Sequence, residues 1–186
     1  MRVLIAPDKF AGTLSAVEAA AAIAEGWARR APDDELDLAP MADGGPGFVA
    51  VLHATLGGDL LATTVRGPYG ESVPGSVLRV GGTAYVEAAQ ACGLHLTSED
   101  ARRPEHASSY GVGELVAAAV DAGADKVVVG LGGSGTNDAA AGVLVAPRAG
   151  RPRSPRSRRS TSPQPGSGWP GSSWSPPATS TTRCSG

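Results

Sequence analysis

Val127-Val128-Val129-Gly130-Leu131-Gly132-Gly133-Ser134-Gly135-Thr136-Asn137-Asp138 runs from a β-branched strand straight into a glycine-rich polar loop, and an Ala-rich helix start follows. The apolar run is too short for a helix and rich in strand formers. The same passage occurs twice upstream. Val3–Ala6 is a short apolar run closed by Pro7, and after the loop Asp8–Leu14 the sequence Ser15-Ala16-Val17-Glu18 reads as a capping box. Val17, Ala20, Ile23 and Trp27 continue at helical spacing until Pro32. Glu35–Ala39 alternates as a second strand, and Asp43-Gly44-Gly45 leads into a helix over about Pro46–Leu56, with proline placed in its first turn.

Between these units the pattern changes. Leu60–Val65, Val73–Val80 and Ala84–Ala88 read as strands separated by Gly-Pro-Tyr-Gly and Gly-Gly turns. Helical period returns at Val112, Leu115, Val116, Ala119 and Val120, with Gly123 as the terminating glycine. Strand, loop and helix in repeated succession predict an α/β fold with a largely parallel sheet flanked by helices.

Residues 147–186 differ in kind. They contain ten Ser, eight Pro and seven Arg, and no Leu, Ile, Val, Phe, Asp, Glu or Lys. All 18 acidic residues therefore lie in 1–146, with only nine of the 16 basic ones, so a net charge of −2 averages an acidic body and a basic tail. The expected domain division is 1–146, with a strand-rich section about 59–90, and a disordered Ser/Pro/Arg-rich tail over 147–186. A body of that length buries a substantial core. Cys92 and Cys184 form no CxxC pair, no apolar run is long enough to span a bilayer, and Met1-Arg2-Val3-Leu4 lacks a signal h-region. These features predict a cytoplasmic protein without membrane contact.

Three polar loops each follow a strand, at Asp8-Lys9-Phe10-Ala11-Gly12-Thr13, at Met41-Ala42-Asp43-Gly44-Gly45 and at Gly132–Asp138. Ligands of open α/β sheets sit beyond the carboxyl ends of strands, so the three loops are expected to face one crevice. In the third, Gly132, Gly133 and Gly135 allow close backbone approach, Ser134, Thr136 and Asn137 add neutral donors, and Asp138 adds a carboxylate. Amides at the following helix start would favour an anion. The same residues also suit a tight turn with a capped helix, and they match neither a Walker A loop nor G-x-G-x-x-G. Asp8-Lys9 reads either as an exposed ion pair or as a base or metal ligand beside a cation that screens phosphate. Asp43 reads either as an Asx-turn residue or as a ligand to a metal or hydroxyl. His53, His95 and His106 have no metal-ligand spacing and read as structural or surface residues, while Glu87 and Gln90 close a strand within reach of a site.

Taken together, Ile5-Ala6-Pro7-Asp8-Lys9-Phe10-x-Gly12-Thr13, Pro40-Met41-Ala42-Asp43-Gly44-Gly45, Glu87-Ala88-Ala89-x-x-x-Gly93-Leu94, Ser109-Tyr110-Gly111-Val112-Gly113-Glu114-Leu115 and Gly132–Asp138 resemble the bacterial glycerate kinase family. The resemblance covers residues 1–146, which correspond to the N-terminal part of family members about twice this length. It implies a two-domain α/β fold and ATP- and Mg²⁺-dependent phosphorylation of D-glycerate. On that reading Asp8, Lys9 and Asp43 are catalytic. Gly44, Gly45, Gly132, Gly133, Ser134, Gly135, Thr136, Asn137 and Asp138 bind substrate or phosphate, and Asp43 or Asp138 holds Mg²⁺. The first motif departs from the family in one respect: Ala11 stands where a second lysine often follows the Phe.

The family continues with an Asp-x-Asp-Asn-Pro-Leu-Leu-Gly segment, which the tail does not show. Read one base out of frame, however, Thr179, Thr181 and Thr182 become Asp, Asn, His or Tyr, and Ser180 as a TC codon becomes Val, Leu, Ile or Phe. With G/C-rich third positions the stretch ending at Gly186 then yields DVDNPLLG. The tail is thus expected to be an out-of-frame copy of family sequence, leaving a truncated kinase of doubtful activity. The alternative is a noncatalytic nucleotide- or anion-binding module with a basic disordered arm that binds nucleic acid or acidic partners; on the kinase reading nucleic acid is not an expected partner.

Overall fold

The computed structural model describes residues 1–146, which lie within a single compact unit. The expectations placed on the tail, including its disorder and its frame, lie outside the described residues. Strand β1 (Arg2–Ile5) leads through the first loop to helix α1 (Ala16–Arg30) and then to β2 (Glu35–Leu38). The capping box forms as the sequence predicts. Ser15 Oγ accepts from the Glu18 amide at 3.2 Å, and Glu18 Oε2 accepts from the Ser15 amide at 2.8 Å. Ala16, Ala19 and Ala20 are the buried face of α1. The two strands pair in parallel, Arg2 with Glu35 through Ile5 with Leu38, as the α1 crossover requires.

Helix α2 covers Phe48–Leu56, two residues shorter at its start than expected. Gly47 has a left-handed backbone, φ 98°, and forms the N-cap, so Pro46 lies outside the helix rather than in its first turn. Strands β3 (Asp59–Arg66), β4 (Ser72–Val80) and β5 (Thr83–Glu87) are joined by tight turns and pair antiparallel in sequence. After α3 (Ala89–Cys92), two short 3-10 turns and α4 (Tyr110–Asp121), strand β6 (Lys126–Gly130) returns parallel to β5. A final turn of helix, α5, spans Ala141–Val145.

The α/β class is as expected, but the expected largely parallel sheet is not what forms. A two-stranded parallel sheet, β1-β2, stands beside a four-stranded mixed sheet in the order β3-β4-β5-β6. The cause is local: the Gly-Pro-Tyr-Gly and Gly-Gly connections are too short for a crossover and force hairpins. One face of the mixed sheet packs on α4 through Val65, Val73, Val77, Val86, Val112 and Leu115, and Leu115 and Val86 are completely buried. That packing fixes the carboxyl ends of β5 and β6, from which the third loop departs.

Candidate active site

The first two loops meet through Lys9. Its ammonium donates to Asp43 Oδ1 at 3.3 Å and lies 3.9 Å from Asp8 Oδ1, so one cation bridges two carboxylates from different strand ends. Asp8 also accepts from the Lys9 amide at 2.7 Å, which turns the chain immediately after Pro7. Asp43 accepts from the Gly45 amide at 2.9 Å, the Asx turn of one sequence reading, while its ion pair with Lys9 serves the other. The Gly45 N–H and then the Lys9 ammonium hold the Asp43 carboxyl below the usual aspartate range. Asp8 and Lys9 border a cavity of about 320 Å³, whose walls include Thr13, Ser15, Met41, Ala42 and Val51, and Asp43 is tied to it through Lys9. A volume of that size suits a small ligand.

The second and third loops meet backbone to backbone. A side chain on Gly44, whose φ is 91°, would press on Leu131 N and O at 3.2 Å. One on Gly132 would lie 2.7 Å from the Gly45 Cα. Glycine is needed on both sides of this contact because no Cβ fits between the strands of backbone.

The third loop, expected to face the same crevice, contributes no residue to the lining of the Lys9 cavity. Ser134, Thr136, Asn137 and Asp138 line a second cavity of about 340 Å³ beneath α4, with Cys92, Ser109 and Val112. Thr136 Oγ1 donates to the Ala107 carbonyl at 2.9 Å, and the amides of Gly135 and Asn137 donate to Cys92 and Pro104 carbonyls. The half-buried Asp138 carboxylate is taken up by the chain's own donors. It accepts from the Ser109 amide (2.8 Å), Ser109 Oγ (2.9 Å), the Ala140 amide (3.2 Å) and the Gly142 amide (3.1 Å). Burial pushes its pKa up, but these donors outweigh burial and leave it below the ordinary value. The anion at the start of α5 is therefore the chain's own Asp138.

The histidines form no ligand cluster, and no group of three His, Cys, Asp or Glu suited to a metal occurs among the described residues. The sequence reading left Glu87 as a strand-end residue; the structure makes it central. It is 4% exposed, at the end of β5, and its Oε2 accepts from the Gly47 amide at 3.0 Å and the Val49 amide at 3.3 Å. The available signal was a lone carboxylate within an otherwise uncharged run, Gly81–Cys92. Gln90 accepts from the Ser76 amide at 2.7 Å and ties α3 to β4.

Burial raises the Glu87 pKa, with the Val49 and Gly47 amides opposing it. The folded state then holds the proton more tightly than the unfolded chain, so this residue's contribution falls as pH rises from the usual glutamate range through the raised value. Glu87→Gln is expected to flatten that part of the stability profile and to leave the protein at least as stable at pH 7, as measured by urea unfolding from pH 4 to 8. A variant whose profile keeps the wild-type slope would refute the assignment.

The model of the glycerate kinase family matches residues 3–149. The chain belongs to the glycerate kinase family. A glycerate kinase of Bacillus subtilis is 43% identical over 148 residues, covering 78% of this chain and 39% of that protein. The glycerate 2-kinase of Escherichia coli is 40% identical over 148 residues, with the same shares. The solved structure named as glycerate kinase 2 from Salmonella typhimurium LT2 superposes with a TM-score of 0.66 at 38% identity, over 77% of this chain and 39% of that one. The chain thus spans about two fifths of the length of these relatives. Its glycerate kinase segment carries all three strand-end loops, and among the described residues no helix is long and apolar enough to cross a membrane.

Proposed function

We propose that the chain carries the acceptor-activating part of an ATP-dependent glycerate kinase, which transfers the γ-phosphoryl group of ATP to a hydroxyl of D-glycerate. The observation that carries this reading is the Asp8–Lys9–Asp43 cluster, of which Asp8 and Lys9 line a small cavity, in a chain of the glycerate kinase family. In the transfer the hydroxyl oxygen forms a bond to phosphorus, the bond from phosphorus to the ADP oxygen breaks, and the hydroxyl proton must go to a base. Asp8 or Asp43 takes that proton. A depressed pKa is no obstacle, because phosphoryl transfer through a loose transition state demands positioned charge more than strong basicity.

Lys9 lies where it can attract a carboxylate or phosphate as a point charge. The Gly132-Gly133-Ser134 half of the third loop, next to Gly45, offers backbone amides to an anionic group. Gly135, Thr136 and Asn137 support this half from the α4 side. When bound, Mg²⁺ neutralises phosphate charge. Magnesium commonly uses one or two protein carboxylates together with substrate phosphates, a demand that Asp43 meets. Asp43 is 67% exposed at its side chain, whereas Asp138 already accepts four hydrogen bonds, so the donor chemistry supports Asp43 over Asp138 as the metal ligand. A cytoplasmic site of action follows from the same substrates.

Calorimetric titration of the purified chain with Mg-ATP and with D-glycerate, beside a coupled assay for ADP release, tests the proposal. Binding of both without turnover is the expected result for a segment spanning about two fifths of its relatives, and turnover would show that the segment suffices for the chemistry. Binding of neither would end the reading for this chain.

A further inference from the structure

We infer that Glu87 is a positioning residue for the Asp43-Gly44-Gly45 loop, its buried carboxylate holding the Gly47 and Val49 amides and so fixing the loop against the exit of β6. The ligand-binding part of this inference rests on the function proposed above; the structural part does not.

Glu87 is the last residue of β5 and pairs with Gly130, the last residue of β6. The next amide, Ala88, donates to the Gly130 carbonyl at 3.0 Å, so the two strand ends are locked together where the third loop begins. From this fixed point the carboxylate reaches across to a different element. Both of its bonds fall on one oxygen, Oε2, and both come from the first turn of α2. Gly47 needs such a partner: it is a glycine N-cap, without a side chain to satisfy the helix's opening amides. A residue forty positions away in sequence supplies the cap.

The loop is held on both sides of this clamp. Behind it, Gly44 and Gly45 lie against Gly130, Leu131 and Gly132: a Cβ on Gly130 would fall 2.8 Å from the Gly44 carbonyl oxygen, and one on Gly132 2.7 Å from the Gly45 Cα. Ahead of it, α2 carries Phe48, whose ring lies edge-on to Tyr85 of β5 at 6.4 Å between centroids. Asp43 sits at the far end of this short, braced segment and meets Lys9 there. Loss of the Glu87 clamp would free the segment between Asp43 and Val49 while leaving the α4-packed core in place, because the carboxylate bonds to Gly47 and Val49, whereas α4 packs on Val86 and the other apolar residues of the sheet.

Four variants of the full chain test the inference by amide hydrogen exchange read by mass spectrometry and by D-glycerate titration. Glu87→Ala and Glu87→Asp remove or retract the acceptor; Glu87→Gln keeps a carbonyl oxygen where Oε2 lies; Leu115→Ala loosens the buried core elsewhere. Exchange over residues 44–49 is expected to rise about tenfold in the Ala and Asp variants, the scale of one or two lost hydrogen bonds, with the α4 segment unchanged. Glu87→Gln is expected to restore wild-type protection. Leu115→Ala is expected to raise exchange across the core without singling out 44–49. D-glycerate affinity should follow the 44–49 protection, falling in Ala and Asp and returning in Gln. If Glu87→Ala does not fold, Glu87→Asp carries the comparison. Unchanged protection at 44–49, or a rise spread evenly along the chain as in Leu115→Ala, overturns the inference. A wild-type chain that binds no D-glycerate counts against the proposed function alone, and the exchange pattern still decides the role of Glu87.

Discussion

In a full-length enzyme of the family, replacing the lysine that corresponds to Lys9 by alanine is expected to lower kcat by about 10²–10³-fold or more, the scale of removing one charge-stabilising group. Lys9 is the single cation of its loop, since Ala11 takes the place where a second lysine often stands. Its ammonium lies within 4 Å of both Asp8 and Asp43. Its own side chain is 27% exposed, and the two carboxylates are 49% and 67% exposed, so the pairs contribute little to folding. The two consequences therefore separate. In the present chain, Lys9→Ala should leave the urea midpoint within about 0.5 kcal/mol of wild type while abolishing saturable binding of D-glycerate or Mg-ATP. A variant that turns over normally in the full-length enzyme would remove Lys9 from the chemistry.

Asp138 is expected to behave in the opposite way. Asp138→Ala removes an acceptor for Ser109, Ala140 and Gly142 together, leaving the part-buried Ser109 and Gly142 donors without it. Four bonds to one carboxylate do not add, but the loss of a charged acceptor from such a network costs about 3 kcal/mol. The pH dependence carries a definite sign. A carboxyl held below its ordinary pKa stabilises the fold above the unfolded-state value, and this contribution disappears as pH falls through the folded value. The gap between wild type and Asp138→Ala should accordingly be widest near neutrality and narrow on acidification below about pH 4, as followed by thermal melts in a pH series. A gap that widens in acid would show that Asp138 is held in another way.

Much of this was legible from residue pattern. The α1 capping box, the hairpin turns and the three strand-end loops all follow from local chemistry, which acts over a few residues. The motifs then pointed to one family. What pattern alone missed depends on contacts distant in sequence. Asp138 looked like a ligand-facing carboxylate because its partner Ser109 lies 29 residues away, at the start of another helix. Glu87 looked like a strand end because its two donors lie about forty residues earlier. The sheet was misjudged for a different reason. The expectation of a parallel sheet rested on the strand–loop–helix units outside 59–90, although the short turns within 59–90 imposed hairpins. Pro46 has the usual residue type for a first helical turn, but left-handed Gly47 moves the start beyond it.

The mixed sheet also implies an order of assembly. β3, β4 and β5 pair with their sequence neighbours across short turns, so they can zip together with little loop-closure entropy. β6 must wait for α3 and α4 to bridge residues 88–125 before it reaches β5, and β1 can join β2 only across α1. The hairpins are thus expected to be structured early in refolding. The glycine contact between the second and third loops, which requires both α2 and β6, should be among the last features to form and the first to open.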